Sequence, residues 1–199
     1  IVFPVDSDFV ADNYVLDLDP APVGDQCLYS QYTDRGADSA SQMHIIVKQW
    51  SYAWNTPEDD NFILVKYQII NDTISGLSDF YAGLFADWDI SNSAENRCWY
   101  DPALDAILAT SIDSVIFTAT ALLSPYADKH YATDMDGFNS SIALNDGFSE
   151  SEKYTMMKTD RMYAGTDLDG NDIAACVSTG PHSIAAYDTL ELTFVIIAG

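Results

Sequence analysis

The chain has 199 residues, with 8 Lys and Arg against 31 Asp and Glu, so its formal charge is -23 at pH 7. Apolar side chains make up 48% and aromatics 13%, enough for a buried core, so the acid excess does not signal disorder. That charge excludes a nucleic-acid partner, because little here could neutralise phosphates, and it opposes docking on an anionic membrane surface. No apolar run nears the roughly 20 residues of a spanning helix, so no membrane insertion is expected.

The length suits a single domain, residues 1–199. Residues 1–42 read as irregular. Within them, residues 1–5 (IVFPV) form an apolar segment that Pro4 suits to an edge or exchanged strand. Residues 19–26 carry turn chemistry, and residues 33–42 are small and polar. Strand signals then dominate, at 43–50 (MHIIVKQW), 62–70 (FILVKYQII), 80–85 (FYAGLF), 114–123 (SVIFTATALL) and 190–197 (LELTFVII). In the last, Leu190, Leu192, Phe194 and Ile196 alternate onto one face. One helix start is marked: Ser149 followed three residues later by Glu152 is a capping box, predicting a helix to about Lys158 with Met156 and Met157 packed. Asp101-Pro102 predicts a short helical turn to Asp105. The expected fold is all-β, a β-sandwich with one or two short helices.

The acid is lopsided. Glu occurs only at Glu58, Glu95, Glu150, Glu152 and Glu191, and Asp supplies the remaining 26 acidic residues. Asp favours turns, caps and loop cation sites over helices. Asp87 and Asp89 follow the FYAGLF strand and, in extended chain, point to one side. Asn92, Asn96, Asp101 and Asp105 follow within 18 residues, giving a candidate calcium cluster of Asp87, Asp89, Asn96, Asp101 and Asp105. A second candidate is Asp167, Asp169, Asn171 and Asp172. It is no EF-hand, since Cys176 stands where the bidentate Glu is needed. A third, weaker group is Asp134, Asp136 and Gly137. Structural calcium is the expected cofactor. The bland counterpart is a solvated acidic surface.

Catalytic patterns are not evident. There is no G-x-S-x-G, no H-E-x-x-H and no Gly-rich phosphate loop. Of the three histidines, His44 reads as a strand residue and His130 as part of a polar loop beside Lys129 and Tyr131. With so many Asp, any carboxylate pair chosen for glycoside hydrolysis carries no information. Cys27, Cys98 and Cys176 make no C-x-x-C pair, which argues against a thiolate zinc site; two of them would pair in an oxidising compartment. Trp50, Tyr52 and Trp54 alternate and form a candidate stacking platform for a polysaccharide. Sequons stand at Asn71 and Asn139. The first residue is Ile1 rather than Met, so a processed product or a piece of a longer chain is expected.

Three stretches carry a family resemblance: FYAGLFADWDI at 80–90, DGFSESEKYTMM at 146–157 and STGPHSIAAYDTLELTFVIIAG at 178–199. From about residue 60 onward the chain resembles the β-rich, non-catalytic C-terminal region of secreted subtilisin-like serine peptidases and related type IX-secreted surface proteins of Bacteroidetes. It departs from that pattern at His182 and Tyr187, where Phe and Gly are usual. The resemblance implies an extracellular or cell-surface location and O-glycosylation at Asp-Ser/Thr-apolar triplets, here at Ser39, Thr73, Ser114 and Thr189. It also implies no protease activity, since no peptidase catalytic residue falls in the matched region. The resulting expectation is a secreted, non-catalytic module, not an enzyme, that binds an extracellular protein or polysaccharide. It would serve as an accessory part of a larger hydrolase, with calcium holding its loops. The alternative is a self-associating subunit of a filament or surface layer, assembled through its N-terminal strand.

Overall fold

The computed structural model describes residues 8–113, 115–145 and 147–199. The apolar segment 1–5 and Ser114 lie outside the described residues. Over the described residues the chain is all-β with one α-helix, and its strands form antiparallel sheets in a sandwich-like arrangement. It divides into two compact units, one built from Ile1–Phe80 and His182–Thr193, the other from Tyr81–Pro181 and Phe194–Gly199.

In the first unit, β1 (Val10–Ala11) and β2 (Leu16–Asp17) both pair with β3 (Gln26–Thr33). β3 pairs with β4 (Ile45–Ala53), and β4 with β5 (Phe62–Asn71). Cys27, Ile45, Val47, Val65 and Ile69 are buried. β3 lies in the stretch expected to be irregular. Its sequence, QCLYSQYT, is polar at Gln26, Ser30, Gln31 and Thr33 without regular alternation, and neighbouring strands rather than its own apolarity hold it. Asp34 sets where β4 begins: its carboxylate accepts from the backbone N–H groups of Met43, His44 and Ile45. His44 therefore precedes the strand, with φ of 55°.

The second unit holds β6 (Leu77–Asp87) from Tyr81 on, β7 (Asn96–Asp101), β8 (Ala106–Ser111), β9 (Phe117–Leu122), β10 (Asp128–Asp134), α1 (Glu150–Lys158), β11 (Tyr163–Ala164), β12 (Ile173–Ile184) to Pro181, and the end of β13 (Thr189–Ala198). β13, β9, β8, β7 and β11 are neighbours in one sheet, and β10, β12 and β6 in the other. β12 is buried on both faces from Ile173 to Thr179. On one face, Ala174 and Cys176 join Tyr131, Ile142, Leu144 and Met156 of α1 in an apolar cluster. The helix begins as its capping box requires, with Ser149 accepting from the Glu152 N–H while the Glu152 side chain accepts from the Ser149 N–H. On the other face, His130 of β10, opposite Val177 in register, stacks on Tyr100 of β7 with ring centroids 4.1 Å apart. Residues 101–105 form a turn rather than a helix. The Asp101 carboxylate accepts from the N–H groups of Ala103 and Leu104 and so closes the β7–β8 connection.

A strap, residues 160–164, runs between the two sheets of this unit. It exchanges backbone hydrogen bonds with β10 at His130 and Ala132, accepts from the His130 N–H on the Asp160 carboxylate, and accepts from the Tyr100 N–H on the Met162 carbonyl. Arg161 anchors it: one guanidinium nitrogen lies 2.8 Å from Asp134 Oδ2, and Asp134 is fully buried. Removing one partner of such a pair strands a charge. Arg161→Leu is expected to cost about 3–5 kcal/mol in urea unfolding, far more than Lys153→Leu at the exposed helix pair with Glu150, expected within about 1 kcal/mol.

Candidate metal centres

Three acidic loops that are far apart in sequence meet at one end of the β10–β12–β6 sheet. Antiparallel pairing puts the start of β12 beside the end of β10, with Asp134 opposite Ile173. The Trp88 N–H donates to the Ile173 carbonyl, which brings the end of β6 to the same place. As a result Asp87, Asp89 and Asp172 each present a carboxylate oxygen, all within 4.8 Å of one another. Asp172 Oδ1 is buried and has no hydrogen-bond partner. Burial first, and neighbouring carboxylates second, push the Asp87 and Asp172 carboxyls above their ordinary value; Asp89 acts on both. Among the described residues, no Lys or Arg pairs with any of the three.

The neighbouring acids are engaged differently. Asp134 Oδ1 accepts from the Gly165 N–H at 2.7 Å and from Asn171 Nδ2, and Oδ2 accepts from Arg161. Asp136 accepts from the Phe138 N–H and from Asn171 Nδ2. Asn171 thus ties the second and third sequence groups together, while its Oδ1 accepts from the Asp172 N–H. Asp167 closes its own turn, taking the Leu168 N–H on its side chain and the Gly170 N–H on its carbonyl. Asp169 is exposed. Gly170, at φ of 77°, lies so close to Glu95 and Asn96 that a Cβ would stand 2.7 Å from the Glu95 carbonyl carbon. Asn96 is fully buried and spends its Nδ2 on the carbonyls of Asn92 and Ser93, so it braces the Ser93–Glu95 turn.

The grouping along the sequence is therefore corrected in space. Asp172 joins Asp87 and Asp89, whereas Asp101 and Asp105 are engaged elsewhere. Asp101 is consumed in its turn, and Asp105 points elsewhere. Its carboxylate gathers with Asp128 and His130, ligand atoms again within 4.8 Å of one another. Asp105 sits on the β7–β8 turn at φ of 51° and accepts from the Tyr100 hydroxyl at 2.7 Å. That bond, more than burial, raises the Tyr100 phenol to about 12. His130 is not in a polar loop but in β10, 3% exposed. Burial lowers its pKa, opposed by Asp128, Asp105 and Asp160; burial raises that of Asp128, opposed by His130. Reading along the chain missed this group because Asp105 lies on the β7–β8 turn and the other two on β10, which belongs to the other sheet. The period-2 spacing of Asp128 and His130 was the available signal.

The other candidates separate clearly. Trp50 packs on Tyr29 and Trp54 on Phe62, with centroids 5.1 Å apart in each pair, and Tyr52 is half-buried opposite Cys27. All three side chains are half-buried, each beside a neighbour on β3 or β5. The Asn71 sequon is overturned: Asn71 is fully buried and its Nδ2 donates to the carbonyls of Ser75, Ile184 and Ala185, so no glycan fits there. Asn139, Ser39 and Thr189 are exposed, and the Thr73 hydroxyl bonds the Ser75 backbone. Cys27, Cys98 and Cys176 are all buried free thiols, so the expected pairing is not found.

No family model matches the chain, and no curated protein matches it. Among solved structures, it is similar to a putative aldose 1-epimerase from Escherichia coli K12, with 9% identity, a TM-score of 0.47, and coverage of 94% of this chain and 69% of that one. That structure is titled as an enzyme, which runs against the expectation of a non-catalytic extracellular module or filament subunit and of no enzyme. At that identity and TM-score, neither activity nor substrate transfers to this chain.

A carboxylate whose folded-state pKa is raised costs stability above that pKa, and the cost lifts as pH falls through it toward the unfolded value. In chelator, Asp172→Asn is therefore expected to be more stable than the parent at pH 7. That advantage should shrink steadily in urea titrations as the pH is lowered into the carboxylate range. Equal stability at pH 7 would show that the three carboxylates do not repel one another.

Proposed function

We propose that this protein binds calcium through Asp87, Asp89 and Asp172, and that the ion ties the end of β6 to the start of β12. The observation that carries this reading is the convergence of three carboxylates that no basic residue neutralises, one of them with a buried, unpartnered oxygen. Calcium takes six to eight oxygen ligands at about 2.3–2.6 Å in tolerant geometry, and open loop sites of this kind accept carbonyls and waters for the rest. Magnesium needs smaller, near-octahedral geometry and gives up its water reluctantly, which favours calcium here. The reading places the protein outside the cell, where calcium is abundant and sites with a Kd near 10⁻⁴–10⁻³ M, roughly, are filled. The acid excess agrees with such a setting.

Binding to the native state alone raises stability by mass action, about 2.7 kcal/mol at 100 times the Kd. For a chain of this length that is a rise in Tm of about 5–10 °C. Calcium at 10 mM is expected to produce it over EDTA, with sodium at matched ionic strength and magnesium giving much less. Asp87→Asn and Asp172→Asn should each remove most of the gain. A Tm that responds equally to all three salts, or a gain that survives both variants, would refute the calcium reading.

A further inference from the structure

His130 is 97% buried by side-chain and backbone together, yet its Nε2 has no hydrogen-bond partner. Buried polar atoms are almost always satisfied, so an orphaned ring nitrogen needs a reason. Carboxylates surround the ring: Nε2 lies 3.5 Å from Asp128 Oδ2, and an Asp105 oxygen lies within 4.8 Å of a ring nitrogen of His130 and of an Asp128 oxygen. Asp128 and His130 are two residues apart on β10 and so share a face. Asp105 reaches them from the β7–β8 turn.

We propose that Asp105, Asp128 and His130 form a second divalent-cation site, for an imidazole-binding ion of the zinc class rather than for calcium. Hard ions such as calcium take oxygen ligands, whereas imidazole nitrogen suits zinc, cobalt and nickel. Ligands held at about 2.0–2.2 Å in a tetrahedron stand roughly 3.4 Å from one another. The Asp128–His130 separation already matches this, and Asp105 closes on the ion from an exposed turn. Three protein ligands leave a fourth position open.

The surroundings supply the outer contacts such a site needs. The Tyr100 hydroxyl donates to Asp105 and its ring stacks on His130, fixing one carboxylate and the imidazole plane. Asp160 accepts from the His130 backbone N–H and pairs with Lys129 at 2.6 Å, so the one lysine beside the cluster is drawn to Asp160 rather than to Asp105 or Asp128. Buried Cys98 and Cys176 are not part of the group.

The test uses the full chain in saturating calcium, so that the Asp87–Asp89–Asp172 cluster is occupied or, if the calcium reading fails, simply silent. Zinc is titrated by calorimetry, and cobalt by its visible absorption. One equivalent is expected, with tetrahedral cobalt bands lacking thiolate charge-transfer absorption, and with a shift of the His130 ring nitrogen in NMR. Asp105→Asn, on an exposed turn, and Asp128→Asn should each weaken binding at least tenfold while far-UV circular dichroism is unchanged. Tyr100→Phe should weaken it less, and Asp172→Asn should leave it intact. The proposal is overturned if zinc does not bind, if binding survives both Asp105→Asn and Asp128→Asn, or if the shifted ring belongs to His44 or His182. In each of those outcomes His130 and Asp128 are simply a buried contact of the chain's own.

Discussion

The second unit depends on one buried carboxylate. Asp134 has no exposed surface, and a lone ion there would be unsustainable without partners. It is satisfied on both oxygens, by Arg161, by the Gly165 N–H and by the Asn171 amide. Those three donors come from residues 161–171, which form no regular element beyond the two residues of β11. Asp134 thus organises a stretch that backbone pairing alone would leave loose. In holding it, Asp134 also fixes what the stretch carries: Asp160 at the His130 end and Asp172 at the Asp87–Asp89 end.

Charge scarcity decides which acids are settled internally. Only eight basic residues serve 31 acidic ones. In the second unit Arg161 serves Asp134, Lys129 serves Asp160, and Lys153 serves Glu150. Arg97 is directed at the carbonyls of Asp167 and Leu168, and Lys158 lies over the Tyr154 ring. None is left for Asp87, Asp89 and Asp172, nor for Asp105 and Asp128. Those two groups of like charge persist because strand pairing holds the backbone that bears them, and an external cation is the natural complement to each.

Much of the fold was legible along the chain. The alternation of Leu190, Leu192 and Phe194 appears as three buried residues in β13, and the Ser149–Glu152 capping box starts α1 where it should. Both signals are local, written in spacing that one element satisfies by itself. β3 and β10 were less visible, because QCLYSQYT and DKHYATD are too polar to announce strands; β3 is held by β1, β2 and β4, and β10, at a sheet edge, by β12 and the 160–164 strap. His130 was misplaced for the same reason: flanked by Lys129 and Asp128 it looks solvated, yet alternation turns it inward against Tyr100.

The sequence by itself determined the class of the protein and its chemical character: an all-β chain rich in Asp, with few cations and three cysteines that form no metal motif. Only the tertiary structure decided which carboxylates act together. Asp87 meets Asp172 across 85 residues because antiparallel pairing puts the end of β6 beside the start of β12. Asp101 and Asp105, four residues apart, part company because the first spends its oxygen closing a turn that aims the second at His130. Nearness along a chain is a poor guide to a cation site, since ligands are gathered by the ends of paired strands, and pairing partners are chosen by burial over the whole sheet.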